Sequence, residues 1–313
     1  MQKLKITKKN SGGILVVDDS EVAELTATEM LSMAESMREF VIENAGDFDR
    51  TPKRKIGINQ KEFFVAVTGF LPFWESLERK DWEPETFDIF DKFIRPDSVF
   101  LDIGGWIGST ALYGAQLAAK TYVFEPDPIA FAELEQNVAL NRETAWHGRI
   151  QLQNVAIAGH NGELEIGAHG DGGDSMSSAL LAEKGDSWTV KSFELVSFLK
   201  SENLESESLF CKMDIEGFEY DLADSIAEFA ALCPQAHIFI SLHPQFLIRE
   251  IDSTRKGFMA KRLAFYRRHK MLFSAFKHRK LEHVNGKPFK LKKELTKALV
   301  TGDFSKGVVV LPV

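Results

Sequence analysis

From Ser98 onward the chain alternates short apolar β runs with amphipathic helical stretches, and this alternation limits the fold more than any other feature. The β runs are SVFLDI (98–103), KTYVFE (120–125), RIQLQN (149–154), SLFCKMD (208–214) and AHIFISL (236–242). Helical patterns fit between or after them at 107–119, 128–141, 193–200 and 217–230. Strands alternating with helices of this length predict βαβ units and a parallel sheet covered on both faces. MLFSAF (271–276) and GVVVLPV (307–313) read as two further strands, a closing antiparallel pair. The predicted fold is therefore α/β, a doubly wound, Rossmann-like sheet whose ligands bind beyond the strands' carboxyl ends.

The first 80 residues read as an appendage of α/β character, with the main domain at 81–313. KLKIT and GILVV flank an Asn-Ser-Gly-Gly turn and predict a hairpin, followed by a helix capped at Asp19 or Ser20 and running to about Asn44. Its methionines at 30, 33 and 37 form a core or dimer stripe. Polar Thr51–Lys55, with Pro52, is a linker candidate.

Composition enters mainly by exclusion. With 44% hydrophobic and 27% charged residues the chain is neither disordered nor collagen-like. Its two cysteines, Cys211 and Cys233, are too few for a disulfide framework or a cysteine-rich zinc site. No apolar run reaches the ~18 residues of a membrane span, and the start MQKLKITKKN has no apolar h-region, so a cytoplasmic protein without a transmembrane segment is expected. The net charge of −8 divides into +13 for residues 255–297 and −21 for the rest. An acidic body repels long nucleic acid, whereas the basic segment suits an anionic acceptor, a membrane surface, the acidic face of a second copy of the chain, or merely a solvated helix face.

The chemistry concentrates at four strand ends. VFLDIGGWIGSTAL (99–112) runs from a strand through Asp102, Gly104, Gly105, Trp106 and Gly108 into a helix. Glycines there let the backbone turn tightly and a ligand approach. The spacing is Gly-Gly-x-x-Gly rather than the dinucleotide G-x-G-x-x-G, and an acid precedes it, which suits a cationic ligand without phosphate. S-adenosylmethionine, with an ammonium and a sulfonium, is such a ligand. In YVFEPDP, Glu125, followed by Pro126, ends the second strand and is placed to accept hydrogen bonds from ribose hydroxyls. Asn154, Val155 and Ala156, just past the third strand, are expected near the adenine. In LFCKMDIEGFEYDLA, Asp214 ends the fourth strand, with Lys212, Glu216 and Glu219 around it. Such carboxylates suit a general base, a hydroxyl substrate or a hard cation. His243, past the fifth strand, can face the same cleft and take a proton near neutral pH. No metal is expected, because spacing shows no third ligand beside Asp214 and Glu216.

The run DIGGWIG, FEPDP, N-x-x-LN and KMDIEGFE, in this order, resembles the FkbM-type S-adenosylmethionine-dependent methyltransferases over about residues 82–245. The family's glycine motif reads D-[VI]-G-A-N-[IV]-G, so Gly105 and Trp106 depart from it, while K-x-D-x-E-G-x-E at 212–219 is whole. The resemblance implies a seven-strand class I methyltransferase fold and methyl transfer to a hydroxyl of a sugar, glycan or natural product. Asp102 to Gly108 would hold the methionine end, Glu125 the ribose, and Asp214, Glu216 and His243 the acceptor. The alternatives are an NAD-dependent oxidoreductase, disfavoured by the missing G-x-G-x-x-G, and a non-catalytic module that binds an adenosyl ligand.

Overall fold

A computed structural model describes residues 52–68, 70–167 and 187–313. The hairpin, helix and methionine stripe expected before residue 45 lie outside the described residues. The described chain opens with β1 (Lys53–Ile58) and β2 (Lys61–Ala66), an antiparallel hairpin, then α1 (Leu71–Glu78) and α2 (Pro84–Phe93). The expected linker at 51–55 thus runs into a strand. The βα alternation follows: β3 (Val99–Ile103), α3 (Ser109–Gly114), β4 (Lys120–Phe124), α4 (Pro128–Ala139) and β5 (Ile150–Gln153). A small sheet, β6 (Ala156–Ala158), β7 (Gly162–Gly167) and β8 (Ser187–Glu194), interrupts it and leads into α5 (Leu195–Ser201). The main sheet then resumes with β9 (Leu209–Met213), α6 (Ala223–Leu232) and β10 (His237–Ser241). It finishes with α7 (Pro244–Thr254), α8 (Phe258–Ser274), β11 (Leu281–His283), α9 (Leu291–Val300) and β12 (Gly307–Val310).

The seven-stranded sheet has the order β11-β12-β10-β9-β3-β4-β5. Only β12 runs against its neighbours. The strand order reverses between β3 and β9, and it is outside the carboxyl ends of such a pair that α/β sheets bind ligands. Every residue of β3 and of β9 is buried, as expected of strands covered on both faces. Val99, Leu101 and Ile103 pack into the layer formed by α5, α6 and α8; Phe100 packs into the opposite layer with β1, β2 and α1. Asp127 caps α4 by accepting from the amides of Ile129 and Ala130, and Pro128 occupies its first turn.

Residues 271–276, expected as a strand, form instead the end of α8 and the turn that follows it. Leu272 and Phe273 from the helix and Phe276 from the turn are buried, with Phe273 stacked on Phe289 at 5.4 Å. A short apolar run does not by its composition choose between helix and strand, and here the aromatic layer decides. The closing antiparallel pair is β11 with β12, with β11 starting five residues later than the expected run ends. The described part of residues 1–80, from Pro52, packs with the sheet: Ile56, Phe63, Val65 and Trp74 share one apolar cluster with Phe100 and Ile107. Both cysteines are free and buried. Among the described residues no helix is long and apolar enough to cross a membrane.

Candidate active site

Adjacent parallel strands bring the glycine turn and the second strand's acid together. The amides of Gly104 and Gly105 both donate to the carbonyl of Phe124, at 2.9 and 3.1 Å. Glu125, buried, accepts from the Trp106 amide through Oε2 and from the Asp127 amide through Oε1, each at 2.8 Å. Each carboxylate oxygen has a second lone pair for a hydroxyl donor. Burial, reinforced by Asp127, pushes the Glu125 carboxyl up to about 8. Trp106 sits at φ +45, a left-handed conformation that asparagine tolerates better than tryptophan. Its ring is held edge-on by Phe73 at 4.6 Å and Phe70 at 5.4 Å, both from the segment before β3.

Asp102, expected to point at the ligand, is fully buried behind the turn. Its Oδ2 accepts from the Thr110 hydroxyl at 2.7 Å, and its Oδ1 lies 3.3 Å from the Lys212 ammonium. Lys212 in turn donates to the Gly104 carbonyl at 2.7 Å and approaches Asp214 at 3.5 Å. Burial alone would lower the Lys212 ammonium, but Asp102 and Asp214 outweigh it and push it up to about 12. Gly108 (φ +101) lies against Leu134, and Asn154 donates to the carbonyls of Glu125 and Pro126, bracing that loop from behind. Asp102, Gly108 and Asn154 therefore shape the wall without forming its surface.

The second half of the site comes from β9 and β10. Past β9, Asp214 and Glu216 face His243, the residue that opens α7 after β10. The imidazole Nε2 lies 3.4 Å from Asp214 Oδ1 and 3.6 Å from Glu216 Oε2, while Nδ1 lies 3.1 Å from Oε1 of fully buried Glu219. Burial lowers the imidazole's proton affinity, but the Glu219 hydrogen bond and the Asp214 charge overcome it, so His243 is pushed up to about 10. This favours the imidazolium, the form that donates hydrogen bonds through both ring nitrogens. Burial and, behind it, Asp214 raise Glu216 to about 7, against the opposing pull of His243. One donor atom each from Asp214, Glu216 and His243 falls within 4.8 Å of the others, so His243 stands where a third donor to a cation could come from, which spacing did not reveal.

Ten of the thirteen predicted residues line one cleft: Gly104, Gly105, Trp106, Glu125, Pro126, Val155, Ala156, Asp214, Glu216 and His243. Three features of the site escaped the sequence reading. Lys212 was legible as a cation inside the apolar run LFCKM, but not as the strut between Asp102 and Asp214. Trp82, Glu83 and Thr86 line the cleft from the start of α2, and Leu164 and Ile166 line it from β7. Neither segment carried a sequence signal.

A seven-stranded sheet with this order and its one antiparallel strand has the architecture of class I methyltransferases, with an acid-lined cleft at the reversal point. Residues 102–230, about two fifths of the chain, match the family model of the methyltransferase FkbM domain. Among solved structures, methyltransferase FkbM from Methylobacillus flagellatus KT is similar at 10% identity, over 86% of this chain and 59% of its own, with a TM-score of 0.39. A SAM-dependent methyltransferase from Agrobacterium tumefaciens is similar at 12% identity, over 83% and 69%, with a TM-score of 0.35. The chain thus spans less than two thirds of the first of these. No curated protein matches it.

The residues present suit the cofactor. The buried Glu125 carboxyl has lone pairs to spare for hydroxyl donors, apolar Val155, Ala156 and Ile157 line the same cleft, and Asp214 and Glu216 would suit a sulfonium.

Proposed function

We propose that the chain is an O-methyltransferase whose acceptor is a hydroxyl of a sugar, glycan or natural product. The observation that carries this reading is the group formed by Asp214, Glu216 and His243, which shares one cleft with the glycine turn and Glu125. S-adenosylmethionine supplies an activated methyl on its sulfonium, so the protein's part is positioning and removal of one proton. Glu125 takes the ribose hydroxyls. The His243 imidazolium, pinned by Glu219, donates toward an acceptor oxygen. Asp214 or Glu216 receives the proton of the attacking hydroxyl as its oxygen bonds to the methyl carbon and the methyl–sulfur bond breaks, leaving a neutral thioether. Hydroxyl-bearing acceptors suit carboxylates that accept hydrogen bonds, and the basic segment 255–297 favours acceptors that are themselves anionic. The two free cysteines suit the cytoplasm.

A labelled-methyl assay against sugars, nucleotide-sugars and glycolipids, read by mass spectrometry, tests this reading. Label on a hydroxyl oxygen supports it. Label on nitrogen or carbon overturns it, and cofactor binding without transfer to any acceptor would instead identify a non-catalytic adenosyl-binding module.

A further inference from the structure

The most exposed apolar residues of α8 and α9 gather at the same end of the molecule as the cleft. Phe258, Met259 and Val300 are 66%, 69% and 66% exposed. Arg262 joins them: its guanidinium stacks on the Phe258 ring at 5.0 Å and lies against Gly302, two residues beyond Val300. The direction of α8 follows from its ends. Its His269 meets Tyr220, just past the carboxyl end of β9, at 3.0 Å, and Phe258 lies eleven residues earlier, about 16 Å along the helix. After α8 the chain enters β11 at Leu281, which pairs with Val310 level with Ile238, at the amino edge of the sheet. The start of α8 therefore projects beyond the carboxyl edge. Val300 reaches the same edge, because β12, which follows it, begins with Gly307 paired to Ser241 at the carboxyl end of β10.

The charges at this end are also unbalanced. Lys261 and Lys297 are paired with Asp252 and Asp303, at 2.8 and 2.6 Å. Arg255, Lys256 and Arg262 have no carboxylate partner among the described residues, and Arg255 and Lys256 are exposed. Bulky apolar tips ringed by cations on a helix end are the composition of an interfacial membrane contact. A polynucleotide would find few stacking partners in Met259 and Val300, and the acidic remainder of the chain would repel it.

We propose that the Phe258–Met259–Val300 rim, with Arg255, Lys256 and Arg262, docks on an anionic phospholipid bilayer and so presents the cleft to an acceptor embedded in or tethered to that bilayer. Placing the acceptor there rests on the O-methyltransferase reading; docking itself does not. The test is co-sedimentation of the full chain with vesicles, either of phosphatidylcholine alone or with about a third phosphatidylglycerol. The rim predicts binding to the anionic vesicles only, about tenfold weaker in the double variant Phe258→Ser, Met259→Ser and in Arg255→Gln, Lys256→Gln. Binding should also weaken strongly at about 0.5 M salt, where charges are screened beyond ~4 Å. Lys61→Gln, on the distant β1–β2 turn, should change nothing, and thermal melting should confirm that all variants fold. No vesicle binding, equal binding to neutral vesicles, or indifference to both double variants overturns the proposal, as does a rim-dependent dimer in sedimentation velocity. Because the readout is vesicle binding and not turnover, its failure leaves the methyl-acceptor assay to decide the reaction separately.

Discussion

A Cβ atom placed on Gly104 would lie 1.8 Å from the carbonyl oxygen of Asp214. The cofactor turn and the acceptor side of the cleft are thus in backbone contact, fixed by the pairing of β3 with β9 and by the Asp214 amide donating to the Ile103 carbonyl at 3.0 Å. The sequence assigns this glycine to ligand approach; the structure adds a second demand, that nothing separate the two strands.

Gly104→Val should therefore lose both cofactor and acceptor binding and melt at a lower temperature, since its φ of +85 also disfavours any side chain. Calorimetry with S-adenosylmethionine and a thermal melt check this. Wild-type affinity in a folded variant would show that the strands part without cost.

Glu125→Ala should weaken S-adenosylmethionine binding by ~1.5–3 kcal/mol per hydrogen bond lost to the ionised carboxylate. The raised pKa of about 8 adds a direction. Ribose hydroxyls bind the carboxylate form, so affinity should rise as pH increases through about 8, by roughly 25-fold between pH 6.5 and 8.5. Titrations at the two pH values would show a flat profile if Glu125 does not touch the ribose.

Glu216, held at about 7, should give kcat a rising limb centred near that pH, as the carboxylate that accepts the proton forms. Glu216→Gln should lower kcat by ~10²–10⁴ and remove the limb. His243→Gln should mainly raise KM for the acceptor, because its imidazolium orients the acceptor and does not take the proton. If the limb survives in Glu216→Gln, Asp214 is the acceptor.

Turnover should persist after dialysis against a chelator, since the protonated Nε2 of His243 already faces Asp214 and Glu216 at 3.4 and 3.6 Å. Activity lost on chelation and regained with magnesium or manganese would instead put a cation among these three side chains.

His269, fully buried between Tyr220 and the Phe265 carbonyl, is pushed down to about 4 by burial. The unfolded chain binds this proton near 6.5, so the neutral imidazole's contribution is complete above 6.5 and is lost as pH falls toward 4. Urea unfolding at pH 7.5 and pH 5 should differ by about 2 kcal/mol more in the wild type than in His269→Phe. Equal differences would mean that the histidine is already protonated in the fold.

The β runs that became β3, β4, β9 and β10 were legible because buried parallel strands leave largely apolar stretches with polar residues at the sheet's edge, and edge strand β5 was legible from the apolar–polar alternation of IQLQ. The cleft was legible for the same reason: Glu125, Asp214 and His243 are the first polar residues past their strands. What escaped was long-range. Nothing in KRKIGI says that it pairs into a hairpin packed on α4, nor in WEPET that Trp82 and Glu83 close the cleft. The direction of Asp102, inward to Lys212, needed the register of β3 against β9, where the two residues stand side by side. The helical state of 271–274 needed Phe289 and Phe304, residues far along the chain.

The placement of β12 carries a consequence for how the protein is made. It slots between β10 and β11, two strands that leave the ribosome before it. Until it emerges, β10 presents an unpaired, wholly apolar edge of Ile238, Phe239 and Ile240, a template for pairing with another chain. The nascent chain therefore passes through a sticky stage that ends when β12 pairs, and chaperone demand during synthesis should track the arrival of residues 307–310.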